Sequence, residues 1–154
     1  MKPMTLHQRQ SGVSLLESLL GILIFSVGIL ALVALQSISV KATTESKFRA
    51  DAGFLASQLI AQMWTDPNAA KQGQFALNEA GADCVFSGGA ATTLTNKWQA
   101  DVLAALPGST ATSIQVRNPI NPASSQGLVT INICWLPPGA DGWRQFSTVT
   151  HVNM

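Results

Sequence analysis

The sequence has no tyrosine, only two cysteines and two histidines, and few charges. Charged residues fill 11% of its 154 positions, where soluble domains typically carry roughly 25%. The net charge of +1 excludes a polycationic nucleic-acid binder held by bulk electrostatics. His7 and His151 have no partners at ligand spacing, so no metal site is expected. Gly88-Gly89 lacks the lysine and the helix start of a phosphate-cradling loop. Serine, aspartate and histidine all occur, but a triad is a matter of geometry and their presence alone argues for none. Neither an enzymatic activity nor a cofactor is expected. Proline is absent between Met4 and Asp66, so a helix there meets no proline break. The length leaves room for one domain.

What is present is concentrated near the start. From Val13 to Leu35 the only formal charge is Glu17, and Ser14, Ser18 and Ser26 are the other polar side chains. About 20 apolar residues cross a bilayer as a helix, and membrane helices tolerate glycines such as Gly21 and Gly28. A secretory signal peptide fits poorly. Its apolar region runs roughly 7–15 residues and its cleavage site follows, whereas here the run is longer and the small-residue junction at Gly12 comes first. A plain anchor fits poorly too, because an acid in a membrane segment costs about 3 kcal/mol and is usually kept for a partner. Lys2 and Arg9 precede the run, so the positive-inside bias places residues 1–12 in the cytoplasm and the C-terminal domain across the membrane.

The stretch Ser11-Gly12-Val13-Ser14-Leu15-Leu16-Glu17 resembles the processing signal of type IV pilins and the related pseudopilins. The resemblance implies that a prepilin peptidase cuts after Gly12 and that Val13 becomes the N-methylated first residue, with Glu17 fifth in the mature chain. Phenylalanine is the usual first residue, so Val13 departs from the commonest pattern. In packed subunits, Glu17 would meet the N-terminal amine of a neighbour. Low dielectric strengthens such a pair and offsets part of its burial cost, and one such contact fixes the axial register between helices.

The resemblance continues with less specific features. Ala34-Leu35-Gln36, the segment 46–63 with Arg49, Ala52, Leu55 and Ala56, the pattern from Trp98 to Leu106-Pro107-Gly108, and Ile131-Asn132-Ile133-Cys134-Trp135 resemble minor pilins of the PilV type. The tryptophan and Leu-Pro-Gly layout also recurs in some pseudopilins of type II secretion. Major pilins commonly carry a proline in the membrane half of their helix, and its absence here favours a minor or priming subunit. The resemblance implies a single-pass inner-membrane protein with its C-terminal domain in the periplasm, later incorporated into a pilus fibre. Its implied partners are the prepilin peptidase, other minor pilins, the major pilin, the inner-membrane assembly platform and membrane lipid.

The rest of the chain reads as an α+β head carried by that helix. Residues 1–12 are the leader, 13–35 the transmembrane half of a long helix, 36–65 its amphipathic half, and 66–154 the globular head. Phe48, Ala52, Leu55, Leu59 and Met63 recur at helical spacing, with Ile60 widening the stripe. Glu45 and Arg49 sit four apart in the order that favours an ion pair. Asp66-Pro67 ends the helix. Residues 68–81 read as a loop with room for a helical turn, anchored by Phe75 and Leu77, and residues 83–86 as a short strand or anchored loop. Residues 87–95 read as a flexible connector. A second helix spans 96–106 through Trp98, Val102, Leu103 and Leu106, capped by Asn96 or Thr95 and ended by Pro107-Gly108. Strands follow at 113–117, 128–135 and 143–152, with turns at 118–122 and 137–142.

Cys84 and Cys134 are the only cysteines. In an exported domain they would meet an oxidising compartment and form a bridge. The alternative is two free thiols, one of them buried in a strand beside Trp135. Trp98 and Trp135 are expected in the core, whereas Trp143 lies by a loop at an interaction surface. Lys97, Arg117 and Arg144 are too few to argue for DNA.

Overall fold

The computed structural model describes residues 13–117 and 127–152. The leader and the turn expected at 118–122 lie outside the described residues. The chain divides into two compact units that meet between Thr43 and Thr44. One helix, α1 (Val13–Thr65), runs through both.

The described residues of the first unit are all helical, and their large apolar side chains are exposed from Val13 to Val40. An 18-residue window of α1 has mean hydropathy 2.7 and buries nothing within the chain. Length and composition would let such a helix span a membrane. With backbone groups paired within the segment, an α-helix is one of the two structures a bilayer accepts.

The second unit has a core. The stripe expected on α1 is there: Ala52, Leu55, Leu59 and Met63 are buried together with Ala56, while Phe48 and Ile60 pack half-buried against them. After Thr65 the chain does not simply stop. Pro67 opens a second helix, α2 (Pro67–Lys71), where its missing N–H is no loss. The Asp66 carboxylate caps it by accepting from Ala69 N at 3.0 Å. The segment read as a loop with a helical turn holds that turn, then Phe75 and Leu77 buried as expected, and ends in a strand not expected there, β1 (Ala80–Ala82).

Strand β1 pairs antiparallel with β2 (Val85–Ser87). Asp83 and Cys84 form the two-residue turn, at φ 52° and 64°, the doubly positive φ that a type I′ hairpin demands. The third helix, α3 (Thr93–Ala105), starts three residues earlier than its apolar spacing indicates. Thr92 is the cap, in a reciprocal box with Thr95: Thr92 N donates to Thr95 Oγ1 at 2.8 Å and Thr95 N to Thr92 Oγ1 at 3.4 Å. Thr95 is thus the fourth residue of the cap motif rather than the cap, and Asn96 lies inside the helix. Trp98 and Val102 face the core, Leu106 is buried at the end, and Leu103 is partly exposed. The helix stops at Leu106, whose extended backbone leads into Pro107.

A 3-10 turn (Ala111–Ser113) leads into β3 (Ile114–Arg117), followed by β4 (Leu128–Trp135) and β5 (Arg144–His151). They form one antiparallel sheet in the order β3-β4-β5. Ile114 pairs with Ile133 and Val116 with Ile131 across the first ladder, and Ile133 with Phe146 across the second. Alternation puts Val129, Ile131, Ile133 and Trp135 on one face, where they join the α1 and α3 side chains in a single cluster. Trp98 Nε1 donates to Leu55 O at 2.8 Å, which ties α3 to α1. Trp135 Nε1 is buried without a partner among the described residues.

The opposite face of the sheet is polar and partly covered. Asn132 Nδ2 donates to Gln115 Oε1 at 2.8 Å, and Gln115 Nε2 donates to Asn78 O at 3.0 Å. Cys134 also points to this face, and Cys84 is bonded to it across 50 positions. Closing a loop of that size removes about 4 kcal/mol of unfolded-state entropy in the chain-entropy model. No other cysteine exists to compete.

One expected ion pair is replaced by another. Arg144 Nε lies 3.4 Å from Glu45 Oε1, so the Glu45 carboxylate reaches across to β5, and Arg49 makes no ion pair among the described residues. The α-helical neighbour offers only a local contact, while β5 brings a guanidinium to the same carboxylate.

Candidate functional site

Among the residues singled out in the sequence, Val13 and Glu17 lie in α1, and Gly12 lies outside the described residues. Val13 is the first helical residue and Glu17 the fifth. Ser14, Glu17 and Ser18 follow at spacings of three and four, so they share one face of the helix. Ser18 Oγ donates to Ser14 O at 2.9 Å and Ser26 Oγ to Ile22 O at 2.7 Å. These hydroxyls are therefore satisfied by the helix's own backbone, the local arrangement available to serine in an apolar helix.

Glu17 differs. It is exposed and makes no hydrogen bond or ion pair among the described residues. Leu15, Leu16, Leu19 and Leu20 surround it in sequence, and all are exposed. A carboxyl set among apolar side chains is stable ionised in water, ionised beside a donor brought by another molecule, or protonated. If the apolar residues leave water, one of the last two must hold, because an unpaired charge carried into hydrocarbon is costly.

The second unit offers a different surface. A cleft of about 590 Å³ lies between α1 and α3, floored by Leu55 and walled by Phe54, with Asp51 and Asp101 on its rim. Phe54 and Trp64 stand on α1 with more than half their surface exposed, and periodicity did not single them out because they lie off the core stripe. Trp98 and Trp135 are buried as expected, while Trp143 is 38% exposed beside the β4–β5 loop. His151 is exposed on β5. Among the described residues no three side chains of His, Cys, Asp or Glu come together as a metal would require.

Cys84 and Cys134 are brought together and bonded, their Cα atoms 5.7 Å apart. Of the candidate residues the sequence picked out, this pair is the one the fold itself unites. Comparison with protein-family models, with curated protein sequences and with solved structures finds no match to this chain.

Proposed function

We propose that the protein is a minor pilin of the PilV type, an assembly subunit whose work is packing. The observation that carries this reading is Glu17: a carboxylate with no partner among the described residues, fifth in an exposed apolar helix whose described residues begin at Val13. Support comes from the junction at Gly12 ahead of the apolar run and from the small α+β unit that follows it. On this reading a prepilin peptidase removes residues 1–12 and Val13 is N-methylated. The chain then waits in the inner membrane with residues 44–154 in the periplasm. Glu17 pairs with the amine of a neighbouring subunit and fixes its register, and the complex of minor pilins primes or tips the fibre. Fibres of this kind serve motility, adhesion or DNA uptake.

The test is replacement of the carboxylate. Glu17→Ala and Glu17→Val remove it and make the helix more apolar, so membrane insertion remains intact. Incorporation into sheared fibres, read by immunoblot, should fall at least about tenfold, as loss of one buried charge pair implies. Normal incorporation of either variant sinks the reading. A pseudopilin of type II secretion shares the segment and the logic; deletion of the gene then blocks secretion of an enzyme and leaves surface fibres in place. A tip-exposed DNA- or surface-binding adhesin would instead give salt-dependent retardation of DNA, or surface binding, by the full chain.

A further inference from the structure

The hairpin formed by β1 and β2 is the least self-sufficient part of the second unit. Each strand has three residues, and only Phe86 of the six is buried. A lone two-stranded hairpin is marginal in water. Its turn places two non-glycine residues, Asp83 and Cys84, at positive φ. Aspartate tolerates that region, whereas cysteine has no special means of doing so. Gly81 (φ 99°) leaves no freedom either, since a side chain there would run into the Val85 carbonyl.

What the hairpin sits on is separate from the main core. Cys84, Phe86 and Cys134 form their own small apolar cluster, distinct from the cluster that joins α1, α3 and the inner face of the sheet. Against β1 lies Gln115, whose Nε2 donates to Asn78 O at 3.0 Å and Ala80 O at 3.5 Å and whose Oε1 accepts from Asn132 Nδ2 at 2.8 Å. Departure of the hairpin therefore uncovers a mostly polar strip. The main core keeps its cover, and Cys134 keeps its place, because β4 is paired on its own account with β3 and β5. Two hinges bound the segment. At one end Asn78 holds to the body, its Nδ2 donating to Ala111 O at 2.7 Å and Ile114 O at 2.8 Å. At the other, Gly89 O accepts from Asn78 N at 3.3 Å.

We propose that the Cys84–Cys134 bond is a latch: it seats the β1–β2 hairpin on the outer face of the sheet, and without it residues 79–88 lift away while the three-stranded sheet and the second half of α1 stay folded. Closing the latch is an exchange with an external disulfide, RSSR. The Cys84 thiolate, accessible on the lifted segment, attacks RSSR to give a mixed disulfide and release RS⁻. As the hairpin seats, the Cys134 thiolate attacks the Cys84 sulfur and displaces the second RS⁻. Two thiols lose two electrons, RSSR gains them, and the two RS⁻ take up the two protons as RSH. Both sulfurs end almost wholly covered, Cys84 5% exposed and Cys134 not at all. A reductant then reaches them only when the hairpin opens. The latch stands whether or not the protein is a pilin; it requires only an oxidant on the side where residues 44–154 reside.

Hydrogen exchange on the full chain in a mild detergent tests this, comparing oxidised protein with protein reduced after folding by a phosphine. Exchange in residues 79–88 should rise at least about tenfold on reduction, with β3, β4 and β5 changing less than about twofold. Unchanged protection in the hairpin overturns the latch, and so does loss spread equally over the sheet and α1. Two variants separate the bond from the turn. In both, Cys134→Ala removes the bond, and Cys84→Gly or Cys84→Ser occupies the turn. Glycine accepts positive φ freely, so the Cys84→Gly variant should exchange more slowly in the hairpin than the Cys84→Ser variant. Equal exchange in the two refutes the claim that the bond holds residue 84 in that conformation.

Discussion

Residues 13–43 and residues 44–152 bury their apolar side chains in opposite ways. In the second stretch Leu59, Met63, Ile131 and Ile133 are wholly enclosed by the same chain. In the first, Leu23, Ile24 and Leu30 are each more than half exposed although they are just as apolar. Water does not accept a surface of that extent for long: soluble monomers rarely expose contiguous apolar patches larger than a few hundred Å². The difference teaches that the chain does not complete the two stretches alike. The second is completed by its own sheet and helices, whereas the first has the length and composition of a helix that could span a membrane.

The largest effect expected from this contrast is obtained by shortening one leucine in each stretch. Leu59→Ala leaves a cavity beneath the sheet and should cost about 2–5 kcal/mol. Leu23→Ala shortens a side chain that is 61% exposed in the first unit, so the unfolding of the second stretch should move by less than about 0.5 kcal/mol. The measurement is convenient because all four tryptophans, Trp64, Trp98, Trp135 and Trp143, follow Thr43. Urea unfolding in a mild detergent followed by tryptophan fluorescence therefore reports on the second stretch alone. A comparable loss from Leu23→Ala would break the comparison, since it would mean that the exposed helix contributes to the core.

Much of this was legible in the sequence, for identifiable reasons. α1 could be read because uninterrupted apolar content and then a stripe through Ala52, Leu55, Leu59 and Met63 are long-range patterns that no local competitor disturbs. β4 could be read because Val129, Ile131, Ile133 and Trp135 alternate for eight residues. The pair Cys84 and Cys134 needed only counting. What escaped depended on contacts. The start of α3 escaped because Thr92 and Thr93 carry no apolar period, and its capping box closes on Thr95 where glutamate or glutamine is the usual sign. The β1–β2 turn escaped because cysteine stands where glycine normally announces a type I′ hairpin. Asp66-Pro67 was read as an end, yet the same two residues cap and open α2. At the candidate site, Glu17 stands out in the sequence as the lone charge of an apolar run and Val13 only through the resemblance, whereas the surface exposure of Phe54 and Trp64 is a consequence of where the sheet and α3 lie.

The cap of α3 gives an intermediate effect and sharpens the contrast at the level of a single helix. α1 begins in a stretch whose large apolar side chains are exposed, while α3 begins with its own side-chain cap inside the second unit. Thr92 Oγ1 also donates to Gln74 O at 2.6 Å, so the hydroxyl serves two segments. Thr92→Ala should cost about 1 kcal/mol, and Thr92→Ser should restore most of it. The same urea unfolding measures both. If alanine is silent and serine differs from it by nothing, the box does not hold the helix start.

The smallest effect expected lies at Glu45 and Arg144, the ion pair that ties α1 to β5. Its side chains are 34% and 46% exposed, so water competes for both charges and salt screens what remains. Double-mutant cycles on pairs of this kind give about 0.2–1 kcal/mol. A cycle built from Glu45→Gln and Arg144→Gln should therefore yield a coupling within that range, falling further when the ionic strength is raised tenfold. The tie between α1 and β5 would then rest chiefly on apolar contact, where Phe146 passes 3.5 Å from the position a Gly53 side chain would occupy. A coupling well above 1 kcal/mol that salt leaves unchanged would reverse this. It would mean that the two charges are shielded from water, and that the second stretch relies on a charge pair kept out of solvent.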